Sequence, residues 1–226
     1  MTPPPRPPHS RPPDRHGRES APEPRGDSRG EGPRGDGPRG EGHAEPPRGE
    51  ARTEIDLRPS VVGVVMGSDT DLPVMQKCID LLVQFDIPYE VNVLSAHRTP
   101  ERAHEYASTA RLRGLKIVIA AAGGAAHLAG VMASLTTLPV IGIPMPTPSL
   151  GGADSLYSTV QMPAGVPVAT VAIGEAGAAN AALLAAQILA LNDEEMQHRL
   201  QAFRAELRRR VAEKNERMKA QLSESH

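Results

Sequence analysis

With 226 residues, a formal net charge of −2 and a single cysteine, the chain is long enough for one or two domains. The lone Cys78 excludes a disulfide framework and fits a reducing cytoplasm, and no long apolar run precedes residue 61, so neither a signal peptide nor a membrane anchor is expected. Tryptophan is absent and only five residues are aromatic, so the core has to be built from Val, Ile, Leu, Met and much Ala and Gly.

Residues 1–57 come first and differ from the rest. Thirteen of the 23 prolines fall before residue 57, and no Val, Ile, Leu, Met, Phe, Tyr or Cys occurs between residues 2 and 54. Such a stretch buries too little apolar surface to offset its chain entropy, so a disordered low-complexity tail is expected. Its ten arginines face eleven acidic residues up to Asp56. An acid follows almost every Arg-Gly and no aromatic interleaves, so nucleic-acid binding is not expected. The pentads RGEGP, RGDGP and RGEGH over residues 29–43 are too short a period for a solenoid.

Residues 58–192 read as one α/β domain. VVGVVM (61–66), YEVNVL (89–94), KIVIAA (116–121), PVIGIP (139–144) and VPVATVAI (166–173) are strand-like, and three of them are almost continuously apolar, as in strands buried on both faces. YEVNVL alternates and suits an edge. Between the strands, residues 71–85 carry Val74, Met75, Cys78, Leu81, Leu82 and Phe85 at helical spacing. Thr99-Pro100-Glu101 supplies a cap position, a first-turn proline and an acid for the next helix, which Gly114 would end. Further helices fit residues 126–135, 152–161 and 176–191. Strand–helix alternation of this kind predicts a three-layer, doubly wound, flavodoxin-like α/β fold of five parallel strands in the order 2-1-3-4-5. Residues 193–226 hold a long C-terminal helix with Met196, Leu200, Phe203, Leu207 and Val211 on one stripe. That stripe suits packing on its own domain and on a neighbouring subunit equally.

In such a sheet, ligands bind beyond the carboxyl ends of the strands where the order reverses. The segments that follow the first three strands are Gly67-Ser68-Asp69-Thr70-Asp71, Ser95-Ala96-His97-Arg98-Thr99 and Ala121-Ala122-Gly123-Gly124-Ala125-Ala126-His127. If the order is 2-1-3, they share one rim. Ser68 offers a hydroxyl beside a helix N-terminus, where an anion is favoured. Asp71 is either that helix's N-cap or an acceptor for ribose hydroxyls. Arg98 suits a phosphate or carboxylate, or a surface ion pair. Gly123-Gly124 either lets backbone approach a ligand or makes a tight turn. His97 and His127 on adjacent loops are candidates for giving and taking protons near neutral pH. No third His or Cys stands nearby, so a metal is not expected.

GSDTD (67–71), SAHRTP (95–100), AAGGAAHLAG (121–130) and DSLYSTVQMPAGVPVATVAIGEAGAANAALLAAQIL (154–189) resemble N5-carboxyaminoimidazole ribonucleotide mutase, also described as the catalytic subunit of phosphoribosylaminoimidazole carboxylase. The resemblance covers roughly residues 60–200, and SAHRTP with GGAAHL is its most specific part. Thr70, Leu72 and Ala129 stand where the family often has Ser, Trp and Pro; none removes an acid–base or charged group. Arg98 points to the mutase branch, since the branch using free carbon dioxide resembles SAHKGP there. The resemblance implies that Ser68, Asp71 and Arg98 bind a phosphoribosyl-aminoimidazole substrate. Ser95, Ala122, Gly123 and Leu128 would line the pocket, with His97 as general acid/base and His127 close to the imidazole. It implies no metal or organic cofactor, and a homo-octamer in which the C-terminal helix reaches a neighbour. The upstream carboxylating synthetase is a candidate transient partner. Pro144-Met145-Pro146-Thr147-Pro148, before Gly151-Gly152, is expected to fold over the pocket as a lid.

A flavin-binding module is disfavoured because no aromatic follows a strand in a loop. A phospho-receiver would need an Asp ending the third strand and a Lys ending the fifth, where the chain has Ala-Ala-Gly and Gly-Glu. A sugar-phosphate isomerase stays open on the residues alone.

Overall fold

The computed structural model describes residues 58–224; the stretch 1–57, expected to be disordered, and the last two residues lie outside the described residues. Five parallel strands form one sheet: β1 (Val62–Met66), β2 (Tyr89–Val93), β3 (Ile117–Ala122), β4 (Val140–Pro144) and β5 (Ala169–Thr170). Between and after them run α1 (Leu72–Gln84), α2 (Pro100–Ala110), α3 (Leu128–Leu135), α4 (Ala153–Val160), α5 (Glu175–Leu189) and α6 (Glu194–Glu224). The strand order is β2-β1-β3-β4-β5, so the fold is the flavodoxin-like α/β sandwich that the alternation predicts.

The period-2 alternation of a strand divides the core into two layers. Val62, Val64 and Met66 of β1, Ile117, Ile119 and Ala121 of β3, and Ile141 and Ile143 of β4 face α1 and α5. Val65, Val118, Ala120 and Val140 face α2 and α3 on the other side. Both faces of the central strands are covered, which is why their sequences run apolar without a break. Two of the helices meet the sheet through small side chains, Ala103 and Ala107 on α2 and Ala178, Ala181, Ala182 and Ala185 on α5, all buried. With so few aromatic residues available, close backbone approach replaces bulk. YEVNV of β2 is the edge strand its alternation suggests, with Val91 and Val93 exposed.

Two elements depart from their expected extent. The apolar run 166–173 yields only the two-residue β5. Pro167 has no N–H to give a ladder, so pairing to β4 is confined to Ala169 and Thr170, followed by a bond from Val171 N–H to Gly142 O at 3.1 Å. The long helix α6 divides its stripe. Met196 is buried in the core, Leu200 and Phe203 pack against it, and the Phe203 and Phe85 rings stand 5.5 Å apart. Beyond them Leu207, Val211 and Met218 are exposed at 44%, 67% and 51%. No helix among the described residues is long and apolar enough to cross a membrane.

The register sets up the rim. Met66 pairs with Val93 on one side and Ala121 on the other, so β1, β2 and β3 end level with one another. Gly67 N–H bonds to Ala121 O at 3.0 Å and Leu94 N–H to Met66 O at 2.9 Å, which start the three following loops side by side.

Candidate active site

The first loop is closed by its own side chains. Ser68 Oγ accepts from the Thr70 N–H at 3.3 Å and from the Thr70 hydroxyl at 2.8 Å, capping a single 3-10 turn, Asp69–Asp71. Asp71 then occupies the N-cap position of α1, yet its carboxylate makes no capping bond. It lines a cleft instead. Partial burial pushes its pKa up, the neighbouring Asp69 charge adds to this, and a backbone interaction with Ser68 works against it.

The second loop folds on itself. Thr99 sits at the N-cap of α2, but its hydroxyl donates back to Ser95 O and accepts from Ser95 N–H, both at 3.1 Å. Pro100 at the first helical position has no N–H, so one of the helix's orphan donors is removed rather than capped. The Ser95 hydroxyl accepts from the Arg98 N–H at 3.1 Å. Arg98 reaches across to the first loop, with Nη2 donating to Gly67 O at 3.2 Å. No described carboxylate pairs with it. The ion-pair alternative is therefore not realised, and the guanidinium keeps further donors for an anion.

The third loop leaves β3 through Ala122, Gly123 and Gly124 and enters α3 after His127. Ala126 N–H bonds to Gly124 O and His127 N–H to Ala125 O, both at 2.8 Å, so the turn is tight. His127 holds the N-cap position of α3 without a side-chain capping bond, which leaves its imidazole to reach the second loop. There His97 Nε2 and His127 Nδ1 lie 2.9 Å apart, the rings edge to face at 73°. One nitrogen of that contact donates and the other accepts, so the two rings' tautomers are linked. When His97 carries protons on both nitrogens, His127 must be neutral and protonated on Nε2.

These three loops enclose a cleft of about 400 Å³. All nine residues singled out from the sequence, Ser68, Asp71, Ser95, His97, Arg98, Ala122, Gly123, His127 and Leu128, line it. Gly67, Ala96 and Ala125 also line it; they are chain neighbours of the singled-out residues and carry no polar side chain. Both imidazoles are exposed in the single chain. A larger hollow of about 610 Å³ lies between α1 and α6, lined in part by Lys77, Phe85, Arg199 and Phe203. Its carboxylates and cations include no imidazole, whereas the rim cleft holds two in contact, so chemistry rather than size selects the rim cleft. Among the described residues no three His, Cys, Asp or Glu side chains are grouped to hold a metal ion.

The stretch 144–148 does not cover the cleft. Met145 N–H extends the ladder to Ala122 O at 2.9 Å, and Thr147 bonds to Asp154 and Gly152. A Cβ placed on Gly123 would lie 3.5 Å from Met145 and 3.8 Å from Thr147, so these residues neighbour Gly123, and none of 144–148 is among the residues that line the cleft.

The AIR carboxylase family model matches residues 61–210. The chain is 54% identical over 158 residues to the N5-carboxyaminoimidazole ribonucleotide mutase of Pyrococcus horikoshii, spanning 70% of this chain and 88% of the relative. To the mutase of Bacillus subtilis it is 52% identical over 158 residues, spanning 70% and 98%. Among solved structures, Treponema denticola PurE superposes with a TM-score of 0.63 at 30% identity, over 69% of this chain and 96% of that one. Family model, relatives and sheet order agree, and the chain belongs to the AIR carboxylase family.

Proposed function

We propose that this chain converts N5-carboxyaminoimidazole ribonucleotide to 4-carboxy-5-aminoimidazole ribonucleotide in purine biosynthesis, with His97 as the proton carrier. One juxtaposition supports this above the rest: the His97–His127 pair opens onto the same cleft as Ser68, Asp71 and Arg98. Arg98 and the Ser68 hydroxyl hold the phosphate, and the Asp71 carboxylate accepts from the ribose hydroxyls. Ser95, Ala122, Gly123 and Leu128 shape the pocket around the ring.

The substrate carries a carbamate on its exocyclic nitrogen. His97, as imidazolium, protonates that nitrogen; the N–C bond breaks and carbon dioxide leaves. Ala121, Ala122 and Gly123 present small apolar surface on which this neutral molecule is retained. Electrons from the amine push through the ring, and carbon 4 attacks carbon dioxide to form the new C–C bond. The resulting tetrahedral carbon loses its proton to the now neutral His97, which restores both the aromatic ring and the imidazolium. Atoms and charge balance over the cycle, and the steps call for no metal or organic cofactor. His127, bonded to His97 Nε2, fixes the tautomer and orientation of the working ring.

Assembly belongs to the same reading. Both imidazoles are exposed in one chain, whereas a reaction through enzyme-held carbon dioxide requires that water be kept out. A homo-octamer, with α6 reaching a neighbour through its exposed stripe, would provide that cover.

His97→Asn tests the reading. Turnover, followed by NMR or absorbance on the authentic nucleotide, falls by about 10²–10⁴-fold while substrate affinity measured by calorimetry persists. A near-normal rate would remove His97 from its role, and failure of the unaltered protein to convert the nucleotide would remove the reaction.

A further inference from the structure

Behind the cleft, α4 presents two hydroxyls to a single residue of the His127 loop. Ser155 is fully buried and its Oγ accepts the Gly124 N–H at 2.9 Å. Ser158, one turn further along the same face, donates to Gly124 O at 3.2 Å while also bonding to Asp154 O at 2.8 Å. Both polar backbone atoms of Gly124 are thus held from α4. Gly124 has φ +67° with open space where a Cβ would stand, so the backbone conformation, not crowding, calls for glycine. Its carbonyl also accepts the Ala126 N–H, and the next bond runs from His127 N–H to Ala125. Between the clamped residue and the imidazole there is little slack.

The clamp is itself anchored. Thr147 donates to the Asp154 carboxylate at 2.8 Å and accepts the Gly152 N–H at 3.2 Å, tying the start of α4 to the segment that follows β4. A continuous strut therefore runs from β4 through Asp154 and the two serines to Gly124 and His127. Packing alone does not account for it. A buried hydroxyl is costly unless bonded, and alanine is the better helix former at both positions.

We infer that Ser155 and Ser158 are positioning residues for the reaction, fixing the Gly124 peptide and through it the 2.9 Å contact between His127 and His97. Neither lines the cleft, so neither touches the substrate. The inference rests on the proposed role of the imidazole pair.

The full-length chain is compared as Ser155→Ala, Ser158→Ala, Ser158→Thr and His127→Asn, measuring kcat, KM and hydrogen exchange of the 121–128 peptide. Ser155→Ala is expected to speed exchange in that peptide alone and lower kcat about 10- to 100-fold, with KM changed no more than about threefold. Ser158→Ala acts in the same direction, and Ser158→Thr, which keeps the hydroxyl, restores the rate. Local exchange that stays slow, or a kcat that stays normal while exchange quickens, would overturn the inference. Should Ser155→Ala fail to fold, the Ala and Thr variants at 158 decide by the same criteria. A slow His127→Asn beside a normal Ser155→Ala sinks the clamp alone; a His127→Asn of normal rate sinks the reading of the pair itself.

Discussion

An aspartate at the start of a helix is ordinarily its cap, and Asp71 is placed as one without acting as one. Its carboxylate forgoes the capping bond and sits half-buried on the cleft wall with its pKa raised, chiefly by desolvation. The sign of the consequence is fixed. The folded chain holds that proton more tightly than the unfolded chain, whose Asp titrates at 3.8, so this group's contribution to stability falls as pH rises from there through the raised value. Asp71→Asn cannot ionise, and its melting temperature should exceed that of the unaltered chain at pH 7 by a margin that closes near pH 3. If Asp71 accepts from the ribose hydroxyls as proposed, the change also raises KM about tenfold or more, because a charge-assisted acceptor is lost. Equal melting temperatures at pH 7 would show that the carboxylate carries no desolvation cost. The residues that line the cleft were legible in the sequence because each follows a strand within a few positions, and the strand-end rule gathers them. Ser155 and Ser158 were not. They bond across 31 and 34 positions to a glycine backbone, and nothing in DSLYSTV distinguishes a clamp from an ordinary polar helix face.

At the scale of elements, the apolar runs mark every strand, and the helices between them fall within a few residues of their expected bounds. The fifth strand is shorter than its apolar run because such a run reports burial, whereas ladder length depends on available N–H groups; Pro167 supplies none. What sequence alone does not reveal is how close the elements come. Gly177, in the first turn of α5, has no room for a side chain: a Cβ there would overlap the Ala172 carbonyl and approach Ile143. The obstacle is backbone and cannot swing aside, so α5 would have to withdraw from the sheet. Gly177→Ala is therefore expected to destabilise the domain by about 2 kcal/mol or more despite alanine's better helix propensity, which is worth only about 1 kcal/mol. Urea unfolding reads this directly, and a midpoint equal to or above that of the unaltered chain would show that α5 has latitude the close approach denies.

For the whole molecule, the sheet order follows from counting five strands and taking the flavodoxin-like winding natural to that number, but the outer surface does not follow from any local pattern. The α6 stripe illustrates why: one helical periodicity serves two surroundings. Its first turns spend Met196, Leu200 and Phe203 on the chain's own core, and the Arg199 guanidinium donates to Phe85 O at 2.7 Å. Further along, hydrogen bonds from Arg209 and Arg210 hold the Glu206 pKa down to about 2 on the polar face, while Val211 and Met218 remain exposed. Exposed apolar side chains recurring at seven-residue spacing on a helix that has left its core fit a second chain better than water. The doubly charged variant Val211→Asp/Met218→Glu separates the two. Both side chains are more than half exposed in a single chain, so its thermal stability should shift by no more than about 0.5 kcal/mol per site if only solvent surrounds them. If neighbours pack there, two carboxylates are driven into an apolar seam, and desolvation splits the assembly. The expected outcome is a drop in mass by light scattering with the secondary structure retained and turnover reduced alongside, as the proposed cover of the exposed His97–His127 pair requires. An unchanged mass would return this part of α6 to solvent and leave the closing of the cleft to some other surface.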